Sequence, residues 1–231
     1  MAQGALTRRP LVSLITDWVQ LLGGPTDDVV ATLFEQVAAA VDAGVDLIQV
    51  REPDLPDRVL LQVVSRCVEL ARGSRTVILV NDRLDIALAA GAGGMHLRSR
   101  SVPAGVARRH TPAGFLLGRS VHGVDEAVRV ADSDGLDFLV LGTVFTSRSK
   151  PGVSPCGVGV LTAVTRAVAL PVLAIGGVTV DKTAEVFRAG AAGVAAIGLF
   201  AEPGRSGRFE GMRRIVGEVH RFHSENHVQR R

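Results

Sequence analysis

The feature that most constrains this chain is a rhythm. Eight short apolar runs recur along it: LVSLIT (11–16), VDLIQV (45–50), TVILV (76–80), GGMHL (93–97), FLLGRS (115–120), DFLVLG (137–142), PVLAIGG (171–177) and GVAAIG (193–198). Each is too short for a typical helix, and none alternates regularly with polar residues, which is how strands covered on both faces read. Most are separated by an amphipathic, helix-length interval. LFEQVAAAVDAG (33–44) closes on Gly44, LPDRVLLQVVSRCVELARG (55–73) on Gly73 and VDKTAEVFRAG (180–190) on Gly190, each suited to a left-handed C-terminal cap. VDEAVRVADSDG (124–135) is a further interval, Asp85 to Ala90 a shorter one and 102–110 a weak one. Repeated strand–helix units of this kind predict an α/β fold, a (β/α)8 TIM barrel in a single domain, with a doubly wound open sheet as the rival.

A chain of 231 residues is near the upper limit for one core, and no linker or composition shift divides it. Residues 1–10 read as a disordered arm, 11–203 as the barrel, and 204–231 as a C-terminal helix (Phe209 to His223) followed by a polar tail. With 26 glycines but only eight Phe, one Trp and no Tyr, the core is expected to be built mainly from Val, Leu, Ile and Ala. The net charge of +3 is too small to point to nucleic acid or an anionic membrane as partner. Two distant cysteines, Cys67 and Cys156, exclude a disulfide scaffold or a cysteine zinc site and suit a reducing compartment. With no secretory apolar stretch near the N-terminus and no membrane-length run, the expected location is the cytoplasm.

In a barrel, chemistry collects at the C-terminal ends of the strands. Gln49 and Arg51 end the second strand on one face, and the Arg51 fork can grip a phosphate. Asn81 ends the third strand and can bond a heterocycle edge. The neighbouring Asp82 is a candidate magnesium ligand or, equally, a helix cap. Ser120 and His122 end the fifth strand, and His122 is the best general acid/base candidate. Ser147, Ser149 and Lys150 crowd the hydroxyl-rich loop after the sixth strand and suit an anion. Cys156, near Lys150, could have its thiolate favoured, although no role is assigned to it. The pair Gly176-Gly177 after the seventh strand, completed by Gly198 after the eighth, forms a candidate phosphate cup, a tight turn being the plainer alternative. His220, His223 and His227 share a helical spacing but lie in a terminal segment, a poor place for a metal.

The ordered set is informative as a whole. ITD (15–17), QVRE (49–52), NDR with Asp-Ile-Ala-Leu (81–88), MHL (95–97), GRSVH (118–122), LGTVF with Lys150, AIGGV (174–178) and AGAAGVAAI (189–197) together resemble the thiamine-phosphate synthase and TenI family of (β/α)8 proteins. That resemblance implies thiamine biosynthesis and a thiazole phosphate as the small-molecule partner, seated on Gly176, Gly177 and Gly198. It also implies one of two activities. The synthases couple a pyrimidine methyl pyrophosphate to the thiazole phosphate with Mg2+, using Asp82, Arg51, Asn81, Ser120 and Lys150. The TenI branch shifts a proton to aromatise a thiazole carboxylate phosphate and needs no cofactor. Homo-oligomers are compatible with either.

Two departures bear on the choice. Where the synthases carry a Lys after Gln-x-Arg-Glu, this chain has Pro53, and where they carry a second metal-binding Asp it has Ser101, with Arg98 and Arg100 nearby. A departing pyrophosphate needs its charge neutralised, and these changes weaken a magnesium route. The expectation is therefore an isomerase, a thiazole tautomerase with His122 moving the proton. The alternatives are the synthase, a transferase, and third a ligand-binding barrel without catalysis.

Overall fold

The computed structural model describes residues 2–7, 9–19, 29–132, 135–147, 152–200 and 211–228. Eight parallel strands close into a barrel in sequence order: β1 (Leu11–Ile15), β2 (Leu47–Val50), β3 (Val77–Asn81), β4 (Gly94–Leu97), β5 (Leu116–Val121), β6 (Phe138–Gly142), β7 (Val172–Ile175) and β8 (Gly193–Ala196). The ring closes where β8 pairs with β1, Leu11 opposite Gly193 and Ser13 opposite Ala195. The open-sheet rival is thereby excluded. Each of the eight apolar runs coincides with one of these strands, β3 and β5 running one residue further.

The outer layer contains α1 (Val29–Ala43), α2 (Asp57–Ala71), α3 (Leu84–Ala89), α4 (Ala104–Arg108), α5 (Val124–Ala131), α6 (Gly157–Ala167), α7 (Thr183–Arg188) and α8 (Met212–Val228). Gly44, Gly73 and Gly190 each adopt positive φ just past a helix, as C-terminal caps do. The sequence reading assigns no helix to 157–167, because Gly157 and Gly159 dilute its apolar pattern. It forms through the burial of Leu161 and Val164 against the sheet. The last helix runs beyond the expected His223 to Val228 and buries Met212, Ile215, Val216 and Val219, a spacing of three or four.

Strand alternation sorts the apolar residues into two clusters. One fills the space between strands and helices and includes Val12, Leu14, Ile48 and Val80. The other fills the barrel itself: Leu11, Ile15, Leu47, Leu79, Leu116, Phe138, Val140, Leu173 and Ala195. Phe138 is the bulkiest of these, and it has room only because its neighbour across the ladder is Gly118. A Cβ at 118 would lie 2.2 Å from Phe138 Cζ.

Residues 1–10 were expected to be a disordered arm, yet Ala2–Thr7 wind into a short 3-10 helix. Leu6 is buried with the barrel-interior residues, and Arg9 Nη1 donates to its carbonyl. An apolar plug gains burial at the N-terminal mouth of the barrel, which hydropathy along the chain does not reveal.

Candidate active site

The strand alternation that points Leu47, Leu79 and Leu116 into the barrel sends Gln49, Asn81, His96 and Ser120 inward one step nearer the C-terminal mouth. They form two hydrogen-bonded pairs. Gln49 Nε2 donates to Asn81 Oδ1 at 3.0 Å. His96 Nε2 and Ser120 Oγ are 2.8 Å apart. Asn81 therefore keeps its amide N–H groups, and Gln49 its carbonyl oxygen, for a polar ring edge. His96 is buried, and its Nδ1 has no partner. Burial lowers its pKa to about 4, with Arg119 pushing the same way and Asp82 opposing, so its ring is neutral near pH 7. The sequence places both Ser120 and His96 at the strand ends but assigns a role only to Ser120. The signal was available, since alternation puts His96 on the inward face of β4 with Gly94.

At the end of β2, the Arg51 side chain lies 3.3 Å from Asp17, not on Glu52. Its backbone N–H donates to Thr16 Oγ1 at 3.0 Å. Glu52 is buried, 3% exposed, and Oε2 accepts the Trp18 N–H at 3.2 Å. Desolvation is the main cause that raises its pKa to about 7, against hydrogen bonds from Thr16 and Trp18 that lower it. These contacts tie the loop after β1 to the loop after β2.

Asp82 neither caps α3 nor offers a free carboxylate. The cap position of α3 is Arg83, which makes no side-chain cap bond. Asp82 itself sits at φ 58°. Arg98 Nε donates to Oδ2 at 2.7 Å, and Arg98 Nη2 lies 2.6 Å from the same oxygen. Ser101 Oγ donates to Oδ1. Arg100 is exposed. Magnesium at a phosphate site is usually held by one or two carboxylates, with phosphates and water completing its octahedral shell, so at least one carboxylate oxygen must be free to bind it. Here one carboxylate has both oxygens engaged, and a hydroxyl stands where a second carboxylate would be needed. Among the described residues no three His, Cys, Asp or Glu side chains converge. This donor set does not suit magnesium.

His122 follows β5, and its Nδ1 lies 2.5 Å from the Gly142 carbonyl oxygen. Its backbone N–H donates to Glu126 Oε2 at 2.8 Å. The ring is thus oriented by β6 and separated from the Ser120–His96 pair in its bonding. Gly176 and Gly177 adopt φ 96° and 61°. A Cβ on Gly177 would meet the Thr146 carbonyl oxygen at 2.2 Å, and one on Gly176 would meet Thr143 Cγ2 at 2.5 Å. The pair therefore lets the loop after β6 pack on the loop after β7, and Lys182 Nζ donates to the Gly177 carbonyl at 3.2 Å. Gly198 opens a 3-10 turn through Phe200, with open space where its Cβ would be. Lys150 and Ser149 lie outside the described residues. Burial raises the Cys156 thiol, contrary to a favoured thiolate. His223 packs edge-on against Phe187, 5.1 Å between ring centroids. A cavity of about 320 Å³ lined by Arg9, Pro171, Ala192 and His223 opens near the N-terminal ends of β7 and β8, away from this polar edge.

A closed parallel barrel with its polar side chains at the strand C-termini has the build of a small-molecule barrel enzyme. Comparison narrows the class. A family model described as thiamine monophosphate synthase matches residues 20–200. The thiamine-phosphate synthase of Methanoculleus marisnigri is 45% identical over 159 residues, covering 68% of this chain and 75% of that protein. That of Roseiflexus castenholzii is 41% identical over 167 residues, covering 72% and 73%. The structure of thiamine phosphate pyrophosphorylase from Pyrococcus furiosus superposes with a TM-score of 0.77 at 28% identity, covering 98% of this chain and 99% of that one. The chain belongs to the thiamine-phosphate synthase/TenI family. It is an enzyme of thiamine biosynthesis. Among the described residues, no helix is long and apolar enough to cross a membrane.

Proposed function

We propose that this chain is a transferase that couples a pyrimidine methyl pyrophosphate to a thiazole phosphate. The isomerase expected from the two departures gives way because the relatives at 41–45% identity are named synthases. The observation that carries the reading in the site is the pairing of two carboxylate-anchored guanidiniums, Arg51 on Asp17 and Arg98 on Asp82, at the edge that bears the Gln49–Asn81 amide pair. Amide groups suit the pyrimidine edge, and guanidiniums suit the oxygens of a pyrophosphate. Gly176, Gly177 and Gly198 would receive the thiazole phosphate through backbone N–H groups.

In the reaction the thiazole nitrogen lone pair forms a bond to the pyrimidine methylene carbon. The bond from that carbon to the pyrophosphate oxygen breaks with its electron pair. The products are thiamine phosphate and pyrophosphate, and no proton has to move. Positioning and charge stabilisation at the leaving group are what the protein must supply. The test is to mix purified protein with both precursors and follow thiamine phosphate and pyrophosphate. Formation of both in equal amounts supports the reading, and no product from either metal-free or magnesium-containing mixtures sinks it.

The tautomerase is the second reading, and the geometry of His122 favours it. An Nδ1 engaged by the Gly142 carbonyl leaves Nε2 as the nitrogen that can take and return a proton. Conversion of the non-aromatic thiazole carboxylate phosphate to its aromatic isomer, without coupling, would establish it.

A further inference from the structure

The unusual feature of the mouth is the unit built from Asp82, Arg98 and Ser101. Arg98 is 68% exposed in its side chain and Asp82 18%. An ion pair so open to water contributes little to stability. Yet the surroundings hold it tightly. Asp82 occupies the left-handed backbone region, which a non-glycine residue leaves unless its neighbours over-determine it. Its N–H donates to the His96 carbonyl at 2.9 Å. The turn that carries Arg98 is closed by Arg98 N–H to Ser101 Oγ at 2.8 Å and Ser101 N–H to the Arg98 carbonyl at 3.1 Å. Beneath it, Arg119 is 7% exposed and clamps the same loop, donating to the carbonyls of Ser99 and Val102 at 2.9 Å each and of Ser101 at 3.2 Å. A buried arginine is thus spent on fixing the loop that presents an exposed one.

The bonding of Arg98 is one-sided. Nε and Nη2 face the Asp82 carboxylate, which leaves Nη1 and the second N–H of Nη2 as a free, parallel pair of donors. That edge matches two oxygens of a phosphate group. We propose that Arg98, anchored by Asp82 and its own rigid turn, is a protein-supplied cation that binds the pyrophosphate oxygens in place of a divalent ion. The inference rests on the coupling reaction proposed above and assigns its leaving-group stabilisation to this residue. Asp82 and Ser101 act as positioning residues, holding the guanidinium and its turn at the barrel mouth.

The test is calorimetric binding of inorganic pyrophosphate to the full chain in excess EDTA. Wild type binds. Arg98→Ala weakens binding about tenfold or more, because a bidentate charge-assisted contact is lost. Arg98→Lys falls between them, since an ammonium cannot offer two parallel donors. The double variant R98A/S101D restores a pair of carboxylates and binds pyrophosphate only when magnesium is added. Failure of wild type to bind in EDTA, whether or not magnesium restores binding, overturns the proposal. So does unchanged affinity in both single variants. The coupling assay run in EDTA separates the two claims. Coupling that needs magnesium sinks the role of Arg98 and leaves the transferase standing, whereas metal-free pyrophosphate binding without coupling under any condition sinks the transferase and the leaving-group role with it, and leaves Arg98 only as a pyrophosphate-binding residue.

Discussion

His122 Nδ1 lies 2.5 Å from the carbonyl oxygen of Gly142, so the strand next to it in the barrel fixes which face of the imidazole is available. A carbonyl oxygen can only accept, so Nδ1 is the donor of this pair and Nε2 is the nitrogen left to face a substrate. The two candidate reactions use this nitrogen differently. Coupling moves no proton, so His122→Ala should lower its rate less than about tenfold, by loss of orientation alone. Tautomerisation needs an acid/base and should fall by about 10²–10⁴. Measuring both rates in this one variant decides what the histidine is for.

Glu52 and His96 shape the pH dependence of stability in opposite senses. The folded pKa of Glu52 is raised from 4.5 to about 7, chiefly by burial, so between those values the native state holds a proton that the unfolded chain has lost. Its contribution is intact below the lower value and lost as pH rises through the upper one. The folded pKa of His96 is lowered from 6.5 to about 4, again chiefly by burial, so between those values the unfolded chain holds the extra proton. Its contribution is present above 6.5 and lost as pH falls through about 4. Each slope is about 1.4 kcal/mol per pH unit at most, and they oppose each other over the shared window. Chemical denaturation of the wild type should therefore give a nearly flat profile there. Glu52→Gln should expose a rise with pH, and His96→Asn a fall. Two unchanged, flat profiles would contradict the assignment.

The three glycines of the proposed phosphate cup should separate on substitution. Gly177→Ala forces a side chain into left-handed backbone and against the Thr146 carbonyl, and should cost about 2–4 kcal/mol of stability. Gly198→Ala meets open space, so its melting temperature should stay within a few degrees of wild type. If Gly198 receives a phosphate through its backbone, the extra methyl group should nonetheless weaken thiazole phosphate binding by about tenfold. Titration of that ligand against a well-folded Gly198→Ala that binds normally would remove Gly198 from the cup.

Inside the barrel, Gly118 and Phe138 share one volume. Gly118→Ala should destabilise the fold by about 1–3 kcal/mol through overpacking. Adding Phe138→Leu should recover part of that loss, a non-additivity expected for residues in contact. Thermal unfolding of the two single variants and the double reads this directly.

The sequence by itself determined the barrel. Each strand is a short run buried on both faces, and that pattern is local, because the side chains a parallel strand needs are its own. It also determined which positions reach the polar edge, since the end of each run and strand alternation are both written in order along the chain. Gln49, Asn81 and Ser120 were legible for that reason. What it could not determine is which side chains those residues meet. Ser120 bonds His96, 24 positions earlier, and Arg51 turns to Asp17 instead of the adjacent Glu52. Leu6 finds the barrel floor only once eight strands have closed above it. The role of Asp82 shows the division most clearly. Its charge and position suggested a metal ligand or a helix cap, and only the tertiary structure, by bringing Arg98 and Ser101 back across the mouth, left its carboxylate with no free oxygen for either. Pairings between distant segments depend on how the ring closes, and that geometry is a property of all eight strands together.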